Sequence, residues 1–99
     1  MCMIYFIQIV NKDKFIKIGY SSNVYARLMD LQVGNPYELV LLATMAGEYE
    51  VEDAIHEKFA KYRVRGEWFE PHNKILRYIS KNGTQEIMAN EFALPRPKI

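Results

Sequence analysis

Tyr5, Lys17, Arg27 and Glu52, with His56 four residues after the glutamate, are the side chains of this sequence best suited to act on a phosphodiester. Hydrolysing that bond with a single hard cation needs a carboxylate to hold Mg2+ or Mn2+, a group to place or deprotonate water, and a positive charge beside the phosphate. Glu52 can supply the carboxylate, Tyr5 the water-handling hydroxyl, and Arg27 a planar fork for phosphate oxygens. Gly19 would let a phosphate approach the backbone closely. Each part has a plainer alternative. A strand tyrosine is usually a packed ring with a wet hydroxyl, a strand lysine an outward charge, and a helix arginine a surface residue. Glu52 and His56, at i and i+4, can also simply hydrogen-bond each other, which is worth about 0.2–0.5 kcal/mol.

Other chemistries lack their parts. The sequence holds no two-histidine zinc motif, serine triad, phosphate-binding glycine loop or dinucleotide fingerprint. Cys2 is the only cysteine, which excludes an intramolecular disulfide and a thiolate zinc cage and fits a reducing, cytoplasmic compartment. His56 and His72 are the only histidines, and the helix break between them argues against a shared metal.

The elements that must position these residues follow from periodicity and turn chemistry. Residues 3 to 10 and 14 to 20, rich in β-branched and aromatic side chains and joined by Asn11-Lys12-Asp13, predict a β-hairpin. Ser21 and Ser22 offer N-cap hydroxyls to a helix over residues 23 to 32, where Val24, Leu28 and Leu31 form the apolar stripe and Val33-Gly34-Asn35-Pro36 is the stop. A strand follows over 38 to 45. A helix from Glu48 to Tyr62 places Val51, Ile55 and Phe59 on its core face, and Val64-Arg65-Gly66 breaks it. Trp68 and Phe69 then read as core anchors between sheet and helices, and residues 72 to 83 as a short helix packing through Ile75, Leu76 and Ile79. The expected fold is α+β, in the order β-β-α-β-α-α, with residues 1–82 as one domain. Residues 83–99 form a partly mobile extension, with a further helical turn from Thr84 to Phe92 and an extended tail at Pro95-Arg96-Pro97.

In 99 residues, a hydrophobic share of 49% and an aromatic share of 13% support a core without disulfide or metal staples. The apolar stretch from Met1 to Val10 is too short to span a bilayer and reads as a strand. With 13 Lys+Arg against 12 Asp+Glu the net charge is only +1, so any footprint for nucleic acid must be local. Lys58, Lys61, Arg63 and Arg65 fall close together after Glu48, Glu50, Glu52 and Asp53. A solvated helix with acids first and bases last, as the macrodipole favours, accounts for that run equally well.

The ordered set Tyr-Phe-Ile-Gln, Lys-Ile-Gly-Tyr-Ser, Leu-Gln-x-Gly-Asn-Pro, Glu-x-x-x-His-x-x-Phe and Arg-x-Arg-Gly-Glu-Trp-Phe resembles the GIY-YIG nuclease superfamily. It is most similar to the small bacterial and phage branch with KIG in place of YIG and a GEWF segment. Ile4-Tyr5 stands at the end of the GIY tripeptide, Lys17-Ile18-Gly19 where YIG is expected, Arg27 eight residues after that glycine, and Glu52 at the metal-binding glutamate. The resemblance implies a three-stranded antiparallel sheet flanked by helices and a single-ion Mg2+ or Mn2+ centre that cuts DNA. Tyr5 is then the general base or water-positioning group, Arg27 the transition-state clamp and Glu52 the metal ligand. Gly19, Tyr20, Ser21, His56, Arg63 and Arg65 are the substrate-binding candidates. Met3 replaces the family's first glycine and Lys17 its second tyrosine; the lysine can orient the scissile phosphate, lower the pKa of Tyr5, or mark lost catalysis. The family's late asparagine has no match.

Register decides whether this set can assemble. A four-residue loop, Asn11 to Lys14, puts Tyr5 and Lys17 on opposite faces of the sheet, whereas a three-residue loop, Asn11 to Asp13, puts Tyr5, Lys17 and Gly19 on one face. The nuclease reading needs the second. The competing reading is a catalytically inactive module of the same fold that binds nucleic acid or a protein partner. A homodimer is open, since cutting both strands of a duplex takes two sites or two visits.

Overall fold

The computed structural model describes residues 1–89, with side chains described through Gln85. Strands β1 (Met3–Ile9) and β2 (Ile16–Ser21) are followed by helix α1 (Val24–Val33), β3 (Leu39–Ala46) and α2 (Tyr49–Lys58). A 3-10 turn at Ala60–Tyr62 leads to β4 (Arg63–Arg65), β5 (Trp68–Phe69), α3 (Asn73–Asn82) and β6 (Thr84–Ala89). All strands pair antiparallel in one six-stranded sheet of order β4-β5-β2-β1-β3-β6.

The expected three-stranded sheet is the middle of this one, β2-β1-β3; the correction is that both of its edges are extended. On the β2 side, Gly66 (φ +56°) turns the chain so that Arg65 pairs with Trp68, and β5 then lies along Ile16 and Lys17. A strand of two residues has no periodicity to read. On the β3 side, the segment expected as a helical turn from Thr84 pairs instead with Val40–Thr44. Its Gln, Glu, Met and Ala favour a helix locally, and the open edge of β3 overrides that preference. The rest of that expected turn, and the Pro95-Arg96-Pro97 tail, lie outside the described residues.

Tyr5 pairs with Gly19 and Ile7 with Lys17, which is the register that puts Tyr5, Lys17 and Gly19 on one face. The connection holds it through Asn11, whose Oδ1 accepts hydrogen bonds from the N–H groups of Asp13 (3.0 Å) and Lys14 (2.9 Å), while Lys14 takes a left-handed conformation at φ 55°. On this first face Tyr5, Ile7, Leu39 and Leu41 pack against Leu28 of α1, with Val24 and Leu31 beside it. On the second face Ile4, Phe6, Ile16, Ile18 and Ala43 pack against Ile55 of α2, Phe59 just past its end, and Ile75 and Ile79 of α3.

Helix ends differ from the expected ones for local reasons. Asn23, not Ser21 or Ser22, caps α1: its Oδ1 accepts from Ala26 N–H at 3.0 Å and its carbonyl takes the first helical bond from Arg27. Helix α2 stops at Lys58, where the chain tightens into the 3-10 turn closed by Tyr62 N–H to Phe59 O at 2.8 Å. In α3 the core stripe is Ile75, Tyr78 and Ile79, whereas Leu76 is 38% exposed.

Trp68 and Phe69 do not share a role, because adjacent strand residues point to opposite faces. Phe69 is fully buried with the α2 and α3 core, while Trp68 is half-buried on the first face. Phe69→Ala is therefore expected to cost about 3–5 kcal/mol and Trp68→Ala clearly less. Urea unfolding measures both, and equal losses would refute the two-face assignment.

Candidate active site

The site is built where β5 runs out. Because β5 pairs only with Ile16 and Lys17, the outward backbone groups of β2 beyond that point have no strand partner. Three groups take them instead. Ile18 N–H donates to Glu67 O at 3.0 Å, His56 Nε2 lies 2.8 Å from Ile18 O, and Tyr20 N–H donates to the Glu52 carboxylate. Glu52 and His56 thus do not bond each other, as their spacing allowed; one turn apart on α2, each bonds the edge of β2. This brings the carboxylate of a helix packed on the second face to the rim of the first.

A carbonyl only accepts, so His56 Nε2 carries the proton, and Arg63 Nη2, which only donates, lies 3.3 Å from Nδ1. Both ring nitrogens are engaged. The ring also meets Phe69 edge-on, with centroids 5.0 Å apart, and the Arg63 guanidinium stands 5.8 Å from the centre of that same phenyl. His56 and Arg63, candidates for substrate contact, are here joints between α2 and the sheet.

Gly19 makes room, but not for a phosphate. A Cβ at this position would lie 2.5 Å from Tyr5 Cζ and closer still to its hydroxyl, so the phenol ring of Tyr5 fills the space. Held across Gly19, the Tyr5 hydroxyl accepts a hydrogen bond from the Arg27 side chain, which reaches in from an exposed position on α1. Burial pushes the Tyr5 phenol above its ordinary value, and the charge of Glu67 adds to the rise. The expected lowering by Lys17 does not occur, because the Lys17 ammonium is paired with Glu67 at 3.1 Å and sits 5.5 Å over the Trp68 ring.

Glu52 is 7% exposed, and its carboxyl is pushed up by burial and then by the Glu67 carboxylate, against the His56 ring, the Tyr20 N–H and the Lys17 ammonium. Two carboxylates bearing on one another beside Tyr5 suit a hard cation, which would relieve both. Glu52 is the residue that could hold it. Among the described residues no group of three His, Cys, Asp or Glu side chains converges, so most of the coordination shell would come from water and substrate.

The structure brings together Tyr5, Lys17, Gly19, Arg27 and Glu52. Tyr20 adds its N–H, while its ring is 39% exposed and stands edge-on to Tyr49 at 6.2 Å. Ser21 is used locally, its Oγ accepting from Asn23 N–H at 3.0 Å. Arg65 is elsewhere, in a notch with Ile9, Phe15 and Trp68. Sequence reading missed Glu67 and Tyr49. Glu67 had a signal, a lone carboxylate in a glycine turn beside two aromatics, but only the pairing of β5 with β2 puts it next to Lys17.

Since the Tyr5 ring occupies the Gly19 site, Gly19→Ala should cost about 1–3 kcal/mol, the usual range for overpacking. The same change in a Tyr5→Ala background should cost much less. Thermal melts of the four proteins of this cycle decide it, and additive losses would remove the contact from the account.

The family model of the T5orf172 domain matches residues 2–83 of the chain. That domain is GIY-YIG-like and nuclease-related. Comparison with curated proteins and with solved structures finds no match. No helix among the described residues is long and apolar enough to cross a membrane. With the match spanning all of the strands and helices that build the site, the chain belongs to the T5orf172 domain family.

Proposed function

We propose that this protein is a metal-dependent endonuclease that hydrolyses DNA phosphodiester bonds at the Tyr5–Arg27–Glu52 centre. The observation that carries this reading is the placement of a buried, charge-stressed carboxylate beside an arginine-bound phenol, on the rim of one sheet face. Glu52 holds one Mg2+ or Mn2+ ion, which supplies Lewis-acid stabilisation of charge on the scissile phosphate. Arg27, exposed and donating to Tyr5, turns its remaining N–H groups to a phosphate oxygen. Tyr5 stays protonated near neutral pH; its oxygen accepts from Arg27 and its own O–H is left to orient water or phosphate. Lys17 is charge-neutralised by Glu67 until substrate enters, and an incoming phosphate competes with Glu67 for it.

A catalytically inactive module that binds nucleic acid or a protein partner is the second reading, and the Lys17–Glu67 pair favours it, since it leaves the lysine without net charge to offer. Cleavage decides between the two. Supercoiled, linear and single-stranded DNA incubated with Mg2+, Mn2+ or EDTA should be cut only with metal. Glu52→Gln keeps an acceptor for Tyr20 N–H and removes the charge, so it should abolish cleavage with the melting transition preserved and DNA binding in EDTA intact. Arg27→Ala should slow cleavage by about 10²–10³-fold, the loss expected for one transition-state charge donor. Full metal-dependent activity in Glu52→Gln would sink the assignment, and binding without cleavage by the unaltered protein would establish the second reading.

The raised carboxyl of Glu52 also fixes a pH dependence. Its charged form is the one that holds metal, so kcat/KM should fall on the acid side at a pH above the ordinary glutamate value of about 4.3. Glu67→Gln removes a like charge, lowers the Glu52 pKa and should move that acid limb to lower pH. A limb that stays put in Glu67→Gln, measured over pH 4 to 7 at a fixed metal concentration well below saturation, would show that another group controls it.

A further inference from the structure

A cleft of about 620 Å³ opens between the C-terminal end of α2 with its 3-10 turn and the outer side of α3. Its walls carry Lys58 and Lys61 on one side and Lys74, Arg77 and Lys81 on the other, and Tyr62 and Tyr78 also line it. Five of the 13 Lys and Arg residues of a chain with net charge +1 are therefore gathered in one concavity, and among the described residues no Asp or Glu lines it. All five are exposed, and among the described residues none forms an ion pair, the one pair there being Lys17–Glu67. None of the residues of the Tyr5–Glu52 centre lines this cleft.

A solvated helix face, the plainer account of the basic run after Glu52, predicts bases spread over a convex surface. Folding instead splits that run. Arg63 turns to His56 and Arg65 to the notch beside Trp68, while Lys58 and Lys61 join three bases from α3, an element that is distant in sequence. On α3 the positions i, i+3 and i+7 form one stripe about 10 Å long at 1.5 Å per residue. Opposed rows of cations suit a rod of regularly spaced anions laid lengthwise. Over that length one strand of a nucleic acid duplex presents roughly three phosphates.

We infer that the α2–α3 cleft is a second nucleic-acid site, which binds the phosphate backbone of DNA without regard to sequence and apart from the bond to be cut. The inference rests on the nuclease reading for its biological sense but not for its chemistry, so the two can fail separately. It supplies what the low net charge withholds, a local field to retain the polymer while the catalytic centre works.

The test is the salt dependence of binding of the full chain to a fluorescent DNA duplex of about 30 base pairs in EDTA, where no cleavage occurs. Each phosphate contact contributes about 0.9 to the slope of log K against log salt. Lys74→Ala, Arg77→Ala and Lys81→Ala combined should flatten that slope by about 2–3, and Lys58→Ala with Lys61→Ala should flatten it further. The combined Lys74→Arg, Arg77→Lys, Lys81→Arg protein keeps the charges and should keep the slope, which separates loss of charge from loss of fold. An unchanged slope in the alanine variants overturns the site, as does binding of poly-glutamate that is as tight as that of DNA at equal charge and is lost in the same variants, since this would identify an acidic protein as the ligand. Flattened slopes without cleavage in Mg2+ would leave the cleft standing and remove the nuclease. Cleavage with an unchanged slope would do the reverse.

Discussion

The candidate site depends on how the free edge of β2 is closed. A strand edge left unpaired inside a packed domain costs free energy for each backbone group it strands, and β5 covers only Ile16 and Lys17. The remaining groups are satisfied by side chains of α2, Glu52 on Tyr20 N–H and His56 on Ile18 O, and by the backbone of Glu67 on Ile18 N–H. A helix that docks on a sheet face through Ile55 and Phe59 alone would be free to slide. Two polar side chains one turn apart, each bonded to a fixed backbone group, set its height and rotation, and in doing so set where the Glu52 carboxylate stands.

That solution carries an electrostatic cost. The carboxylate that closes the edge is almost wholly buried and shares its surroundings with Glu67, so its charged form is held against both desolvation and like charge. Lys17 offsets part of this through its pair with Glu67, whose other attachments are the β2 backbone and the turn at Gly66. A hard cation held by Glu52 would relieve both the desolvation and the like charge at once. Tyr5 follows the same logic. Its ring is clamped over Gly19, where burial lowers the acidity of the phenol, and the hydrogen bond from Arg27 opposes that rise in pKa without cancelling it.

The two sheet faces divide the work. The first, under α1, carries Tyr5, Lys17 and Arg27 with a small apolar cluster that keeps β1 and α1 in register. The second holds the larger core, and the outer sides of its helices expose the bases. Helix α2 serves both, with its N-terminal half offering Glu52 to the first face and its C-terminal end offering Lys58 to the cleft. One short helix thus contributes the buried carboxylate of the candidate site at one end and a base of the cationic cleft at the other.

Much of this was legible in the residues alone. The hairpin, the three helices, the strand between them and the core stripes follow from periods that each segment carries within itself, and the ordered tyrosine, lysine, arginine and glutamate follow from their types. The need for Tyr5 and Lys17 to share a face could be stated from the sequence, but the register that satisfies it came from the Asn11 turn. What only the tertiary structure decided concerns neighbours that are remote in sequence. Strand β5 is too short to show a period, and β6 favours a helix until the edge of β3 claims it. Gly19 announced an open space without saying that Tyr5 would fill it, and His56 announced a polar ring without saying that Ile18 and Arg63 would use both nitrogens. Glu67 acquires its place beside Lys17 only when a two-residue strand pairs with β2. Side-chain periodicity reports which way a residue points, and only the packed chain determines what is already standing there.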